Sequence, residues 1–350
     1  VIEILISGVS LGVYVPGLLI RERLRALGVP ARAVVYESFI APERQARIDA
    51  AKRAYHERLA FALAGQRLAR QLSPEPHEEL LGPLLARWES SPPSALVALS
   101  GYWVPVVARW ADGHPERAAA VDLLHMDSTP APSWRTFGNA GLRDVWLFSS
   151  EERRVRFGLP VSGDSVPFGE RGQRVVVHGG GWGIGDYEAV VPDLVAHGYE
   201  VDLAAYYPED LRPAPRVRHL YLDPSWKPWL PGEDGEPGFP PTGPSAPASG
   251  RHPLYGHIAS AAAVVSKPGG ATLVDSFAAA TPVVFLPPYG GHEQRNAELW
   301  QELGFGLSFE AWRGLGFARG PLEALHRNLR EARRHTPSYP DELASRSSPT

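Results

Sequence analysis

Residues Val264 to Asn296 read VVSKPGGATLVDSFAAATPVVFLPPYGGHEQRN, and the rest of the chain is organised around them. An apolar strand runs into Pro268-Gly269-Gly270, and the spacing that follows predicts a helix over 272–280. Free backbone N–H groups and the positive end of that helix then point at one spot, which makes an anion site. Glycine lets a phosphate approach the backbone closely, although a strand-to-helix turn also favours glycine for packing. Asp275 lies one turn into the helix, where a carboxylate reaches the hydroxyls of a ribose whose diphosphate rests on the turn. The other reading of Asp275 is a solvated acid that stabilises the helix start. After a strand over 283–286, Pro287-Pro288-Tyr289-Gly290-Gly291 leads to His292-Glu293-Gln294-Arg295-Asn296. Glu293 and Gln294 side by side offer acceptors and a donor suited to sugar hydroxyls, or equally a helix cap.

Outward from this segment, strands and helices alternate, the pattern of parallel sheets covered on both faces. In the first half, strands are expected over 2–6, 33–36, 95–99, 119–124 and 144–148, with helices over 15–26, 41–71 and 103–110. At 174–177 the plan restarts: Arg174-Val175-Val176-Val177 runs into Gly179-Gly180-Gly181-Trp182-Gly183-Ile184-Gly185 and a helix over 186–197. Strands follow over 201–204, 217–221 and 263–265, and late helices over 293–303 and 321–334. Residues 224–253 hold nine prolines and read as a long loop. At 350 residues, two domains with a ligand cleft between them are the natural expectation. The boundaries are placed at 1–160, a linker over 161–173, a second domain over 174–335 and a frayed tail over 336–350.

Composition narrows the function classes. A net charge of -4 and 21% charged residues give no basic excess of the kind that polyanion binders need, so nucleic acid is not an expected partner. With no cysteine in the chain, disulfides, thiolate metal sites and a cysteine nucleophile are all excluded. No run of 18 apolar residues occurs and no signal-like stretch precedes the first strand, which makes a cytoplasmic enzyme the simplest expectation.

The 264–296 segment resembles the donor-binding signature of GT-B glycosyltransferases of the MurG, monogalactosyldiacylglycerol synthase and UDP-glycosyltransferase type. That signature runs from a glycine-rich turn with Thr or Ser to a ribose-binding acid, a proline-bounded strand, and then Asp-Gln or Glu-Gln followed by Asn-Ala. The resemblance implies an α/β fold of two Rossmann-like domains facing a central cleft. It assigns the donor diphosphate to Gly269, Gly270, Ala271 and Thr272 beside Lys267, the ribose to Asp275, and sugar hydroxyls to Glu293 and Gln294. The acid is Asp where the family has Glu, a shorter reach. Gly180, Gly181 and Trp182 correspond to a loop near the phosphates, or to a tight turn with the indole packed beneath it. Arg295 stands beside the expected sugar, where it could pair with a carboxylate on a glucuronyl donor. Trp226 and Trp229 fall where relatives meet the uracil base, and loop anchoring is the alternative.

On the acceptor side, Ser10, Gly12, Val13, Tyr14 and Pro16 align with the family's Gly-His-x-x-Pro motif, and Trp103 belongs to the same wall. Val13 occupies the place of the histidine that is the usual general base, so His125 and Asp127, at the end of a strand, are the first substitutes and Glu37 a third. The resemblance implies an inverting transfer from a UDP-sugar to a small acceptor, without cofactor, and the absence of an Asp-x-Asp pair agrees with metal independence. The composition suggests an antibiotic or nucleoside natural-product acceptor. A UDP-sugar 2-epimerase and a non-catalytic auxiliary protein that keeps the fold are the rival readings.

Overall fold

The computed structural model describes residues 1–9, 11–64, 76–161, 165–223, 225–230, 235–240 and 254–347. Ser10, part of the acceptor-side expectation, lies outside them, as does most of the proline-rich loop.

The first sheet is parallel, in the order β2-β1-β3-β4-β5, from β1 (Ile2–Ile6), β2 (Ala31–Val35), β3 (Ala95–Ala98), β4 (Val121–His125) and β5 (Arg143–Trp146). A two-stranded antiparallel ribbon, β6 (Phe148–Ser149) with β7 (Arg154–Val155), follows it. The second sheet is also parallel, in the order β10-β9-β8-β11-β12-β13: β8 (Arg174–His178), β9 (Glu200–Ala205), β10 (Val217–Tyr221), β11 (Ala263–Ser266), β12 (Val283–Phe285) and β13 (Gly306–Ser308). Strands buried on both faces read as near-continuous Val, Ile and Leu runs, which is why Val175-Val176-Val177 and Ala263-Val264-Val265 were recognisable. This is the expected α/β arrangement of two doubly wound sheets.

Each sheet reverses its strand order once. The chain leaves β1 for β2 on one side and comes back to β3 on the other; β8 does the same between β9 and β11. Ligands in open α/β sheets bind beyond the carboxyl ends of strands at such a switch point. The strand ends there are Ile6-Ser7, Ala98-Leu99-Ser100, His178-Gly179 and Ser266-Lys267, and all four lead into the same cleft.

The helices are α1 (Leu11–Ala26), α2 (Pro42–Glu57), α3 (Glu78–Ser90), α4 (Val104–Gly113), α5 (Pro132–Phe137), α6 (Val191–Ala196), α7 (Tyr255–Ser260), α8 (Gly270–Ala279), α9 (Gly291–Glu302), α10 (Phe309–Gly314), α11 (Arg319–His335) and α12 (Tyr339–Ser347). Three of them differ instructively from expectation. The helix expected over 41–71 is interrupted at Arg58, which is extended (φ -145°, ψ 110°), and resumes over 59–64, while residues 65–71 lie outside the described residues. No residue of α2 is buried; it is a polar helix held by its ends and by contacts across the cleft. The helix expected over 186–197 is a 3-10 turn, Tyr187–Val190, followed by the short α6.

The third difference is the C-terminus. The tail expected to fray is α12, with Tyr339 and Leu343 buried. It returns to the first sheet, where the fully buried Asp122 of β4 accepts hydrogen bonds from Tyr339 Oη at 2.9 Å and Arg346 Nη2 at 2.6 Å and pairs with Arg143. Burial pushes the Asp122 carboxyl up, against the pull of Arg143. Arg23 of α1 forks onto Asp341. The outgoing and returning chain segments also bond to each other: Gly158 N–H donates to Pro337 O at 2.9 Å, and Tyr339 N–H donates to Gly158 O at 3.1 Å.

Candidate functional site

The cleft encloses about 670 Å³, within the range of small-molecule sites, and both halves of the chain line it. Its C-terminal wall is built on α8. The first intrahelical bond runs from Leu273 N to Gly269 O at 3.2 Å, so the N–H groups of Gly270, Ala271 and Thr272 precede the ladder, and no side chain caps them. Lys267, Gly269, Gly270, Ala271, Thr272 and Asp275 all line the cavity, as expected from the sequence, with Asp275 and Thr272 mostly buried. Lys267 Nζ stands 3.7 Å from Glu293 Oε1 and 5.0 Å from the centre of the Tyr289 ring. Glu293 also accepts the Tyr289 N–H. The wall therefore presents one ammonium and a set of helix N–H groups to whatever enters, with its carboxylates already engaged.

Glycine is required at 270 because the second domain meets the first there. A Cβ on Gly270 would lie 2.5 Å from Met126 O, and one on Gly181 would lie 2.7 Å from Leu11 Cβ. Gly180, Gly181 and Trp182 line the cavity, and the Trp182 indole stacks on Tyr55 of α2 at 5.4 Å.

The structure separates the three candidate bases. Asp127 lines the cavity, in the loop beyond β4, and its Oδ1 accepts Asn296 Nδ2 at 2.7 Å. His125 does not: its ring is sandwiched on Trp146 at 3.8 Å, with Nε2 on Asp144 at 2.7 Å. Burial pushes the imidazole pKa down, although Asp144 opposes the shift. The sheet explains this, since His125 and Trp146 are register partners on β4 and β5, so the side chains lie together on one sheet face. Glu37 is fully buried and takes the Ser7 hydroxyl at 2.6 Å and the Gly8 N–H, so it shapes the loop after β1 and is not in contact with the cavity. Its carboxyl is pushed up by burial.

On the acceptor side, Gly12 and Val13 line the cavity from the first turn of α1. Tyr14 does not, because its hydroxyl donates to Gly238 O at 2.7 Å and its ring meets Trp226 edge-on. Trp103 is likewise core, donating its indole N–H to Ile6 O at 2.9 Å. Trp226 and Trp229 pack around the β1 loop, where Trp229 lies under Lys52 and close to Gly8; loop anchoring is what the geometry shows.

At the start of α9 the expected pair is displaced by one residue. Gln294 and Arg295 face solvent and both bond Glu298, at 3.0 and 2.7 Å. The residues that line the cavity are His292 and Glu293. His292 is mostly buried, and its Nδ1 has no partner among the described residues. The helix starts at Gly291, two residues earlier than the sequence suggested. At about 100° per residue, positions 292, 293, 296 and 297 then share the inner face and 294, 295 and 298 the outer one.

Two further residues were given no role from the sequence. His178 ends β8 at the switch point, buried and lining the cavity, with Nδ1 accepting the Gly180 N–H at 3.1 Å. The signal was a polar residue closing an apolar strand immediately before three glycines. Asn296 is fully buried and joins the halves: Oδ1 accepts Ser128 N–H at 2.8 Å, while Nδ2 donates to Asp127 Oδ1 and to Pro268 O at 2.9 Å. Other contacts across the cleft are Tyr289 Oη to Ala62 O at 2.6 Å, His56 to Asp210 and to Gly183 O, and the ion pairs of Arg53 with Glu209 and of Asp49 with Lys227.

No protein-family model matches the chain. The processive diacylglycerol beta-glucosyltransferase of Staphylococcus aureus is 43% identical over 49 residues, a stretch that spans 14% of this chain and 12% of that protein. Solved structures resemble the chain from end to end. The glycosyltransferase SsfS6 of Streptomyces sp. SF2575 gives a TM-score of 0.57 at 16% identity and covers 99% of both chains. A UDP-glucosyltransferase from Polygonum tinctorium capable of glucosylating indoxyl gives 0.55 at 12% identity, covering 100% of this chain and 99% of the other. SnogD from Streptomyces nogalater gives 0.50 at 17%, covering 99% and 98%. At these identities the likeness is one of fold, and the fold is GT-B. Among the described residues no helix is long and apolar enough to cross a membrane.

Proposed function

We propose that the chain is an inverting glycosyltransferase that moves a sugar from a UDP-sugar to a small acceptor of the natural-product kind. The observation that carries this reading is the α8 start: three helix N–H groups, uncommitted among the described residues, and Lys267 converge on a cavity that a second wall closes with Asp127. Loss of the nucleoside diphosphate from the anomeric carbon concentrates negative charge on the leaving oxygen, and fixed donors aimed at that place stabilise it without reorganisation. Asp275 supplies an acceptor for ribose hydroxyls, and His292 with Glu293 takes the sugar-binding part first expected of Glu293 with Gln294.

In the transfer, the acceptor oxygen attacks the anomeric carbon from the face opposite the diphosphate, the bond from that carbon to the diphosphate breaks, and the hydroxyl proton passes to a base. Asp127 takes that part, because it alone of the three candidates lines the cavity. Asn296, bonded to its Oδ1, orients the carboxylate. In this reading the histidine missing at Val13 is answered by an acid in the loop beyond β4, not by His125 or Glu37.

Calorimetry with UDP and dTDP, followed by turnover of UDP-sugars with and without acceptor, tests the reading. UDP is expected to bind in the micromolar range or tighter, about 8 kcal/mol of binding free energy. Binding of dTDP with UDP excluded would reassign the donor. Turnover of the UDP-sugar without acceptor would instead favour the epimerase, and absence of binding by any nucleoside diphosphate would overturn the reading.

A further inference from the structure

The acceptor half of the cleft holds two cations that the proposed transfer leaves unused. Arg44 and Arg47 lie three residues apart on α2, so they share one helix face, and both line the cavity. Neither guanidinium has a partner among the described residues. The polar side chains farther along α2 are engaged: Asp49 with Lys227, Arg53 with Glu57 and Glu209, and His56 with Asp210. The wall that shares this half of the cavity is apolar, formed by Val9, Leu11, Val13, Val15, Pro16 and Leu19. The one acid that the described residues of the first half contribute to the lining, Asp127, is bonded to Asn296.

An apolar wall in the same cavity as two guanidinium groups that are unpaired among the described residues has a definite complement. Burying an organic framework there is favourable by the area removed from water. Arginine forks match planar carboxylates and phosphates bidentately, and the net positive field attracts an anion. We propose that this half of the cleft binds an acceptor with an apolar body and an anionic group, a carboxylate or a phosphate, held by Arg44 and Arg47. The inference rests on the glycosyltransferase reading only for the word acceptor; the site itself is defined by its lining.

Two fluorescent probes with the same aryl body, 8-anilinonaphthalene-1-sulfonate and the neutral N-phenyl-1-naphthylamine, test it by titration into the full chain. The sulfonate is expected to occupy one saturable site about tenfold more tightly than the neutral probe, the worth of one charge-assisted contact. In the Arg44→Gln, Arg47→Gln double variant that preference is expected to vanish while the neutral probe binds as before, with circular dichroism confirming the fold. Displacement by 1-naphthoate and by 1-naphthyl phosphate then tells which anion is preferred. Equal affinities for the two probes, a preference that survives the double substitution, or no saturable sulfonate site would each overturn the proposal. A loss of UDP affinity in the double variant would hand the arginines to the donor and overturn it too. If the unaltered chain binds no nucleotide but keeps the anion preference, the transferase reading fails and this one stands.

Discussion

A carboxylate can act as a base only if it reaches solvent or substrate, and that separates Asp127 from the fully buried Glu37. Replacing Asp127 by Asn keeps the hydrogen-bond geometry toward Asn296 while removing the base. The Asp127→Asn variant is expected to lose 100-fold or more in kcat, with the KM for the donor within about threefold, because general-base catalysis contributes on that order. Gln294→Ala provides the contrast: its side chain faces water and Glu298, so steady-state kinetics should be unchanged. A 10-fold loss in that variant would contradict the observed phase of α9. The residue types at 292–296 were legible as a polar cluster suited to hydroxyl groups. Which two of them turn inward was not, since a shift in the helix start rotates each side chain by about 100° per residue.

At the scale of elements, the glycine turn before α8 and the strand before it were legible because a fully buried parallel strand and a strand-to-helix glycine have few other uses. The sequence Ser-Tyr-Pro-Asp-Glu-Leu-Ala-Ser-Arg over 338–346 carries no such mark. Its anchors are polar, and their partners, Asp122 and Arg23, lie more than 200 residues away, so nothing local announces that α12 packs. Sequence separation also hid the role of α2, whose ion pairs to Glu209 and Lys227 reach across the cleft over more than 150 residues, beside the Tyr55 stack on Trp182. The α12 anchor makes its own expectation. Tyr339→Phe removes a hydrogen bond to a buried carboxylate, which should cost about 1.5–3 kcal/mol in chemical denaturation, as for other hydrogen bonds to charged groups. A midpoint shift of less than a third of that would mean that Arg143 and Arg346 satisfy Asp122 alone.

Across the whole molecule, the chain crosses between its two halves twice, once outward through 150–173 and once back through 336–338. The Gly158 and Ser338 segments are zipped together, so the two crossings are placed to act as one pivot. Two tethers set far apart would lock the lobes or confine them to sliding; two tethers side by side leave a door on a single hinge, and the gap at the far edge becomes a matter of one angle. A chain without cysteine can report that angle directly. Spin labels at Ala46→Cys and Ala189→Cys, both exposed and in opposite halves of the chain, should shift their distance distribution when UDP enters, whereas labels at Glu151→Cys and His335→Cys beside the pivot should hold theirs. Equal shifts at both pairs would mean that the lobes translate. If the hinge holds, entry of donor and acceptor through the same opening puts their order of arrival under the control of how wide one door swings.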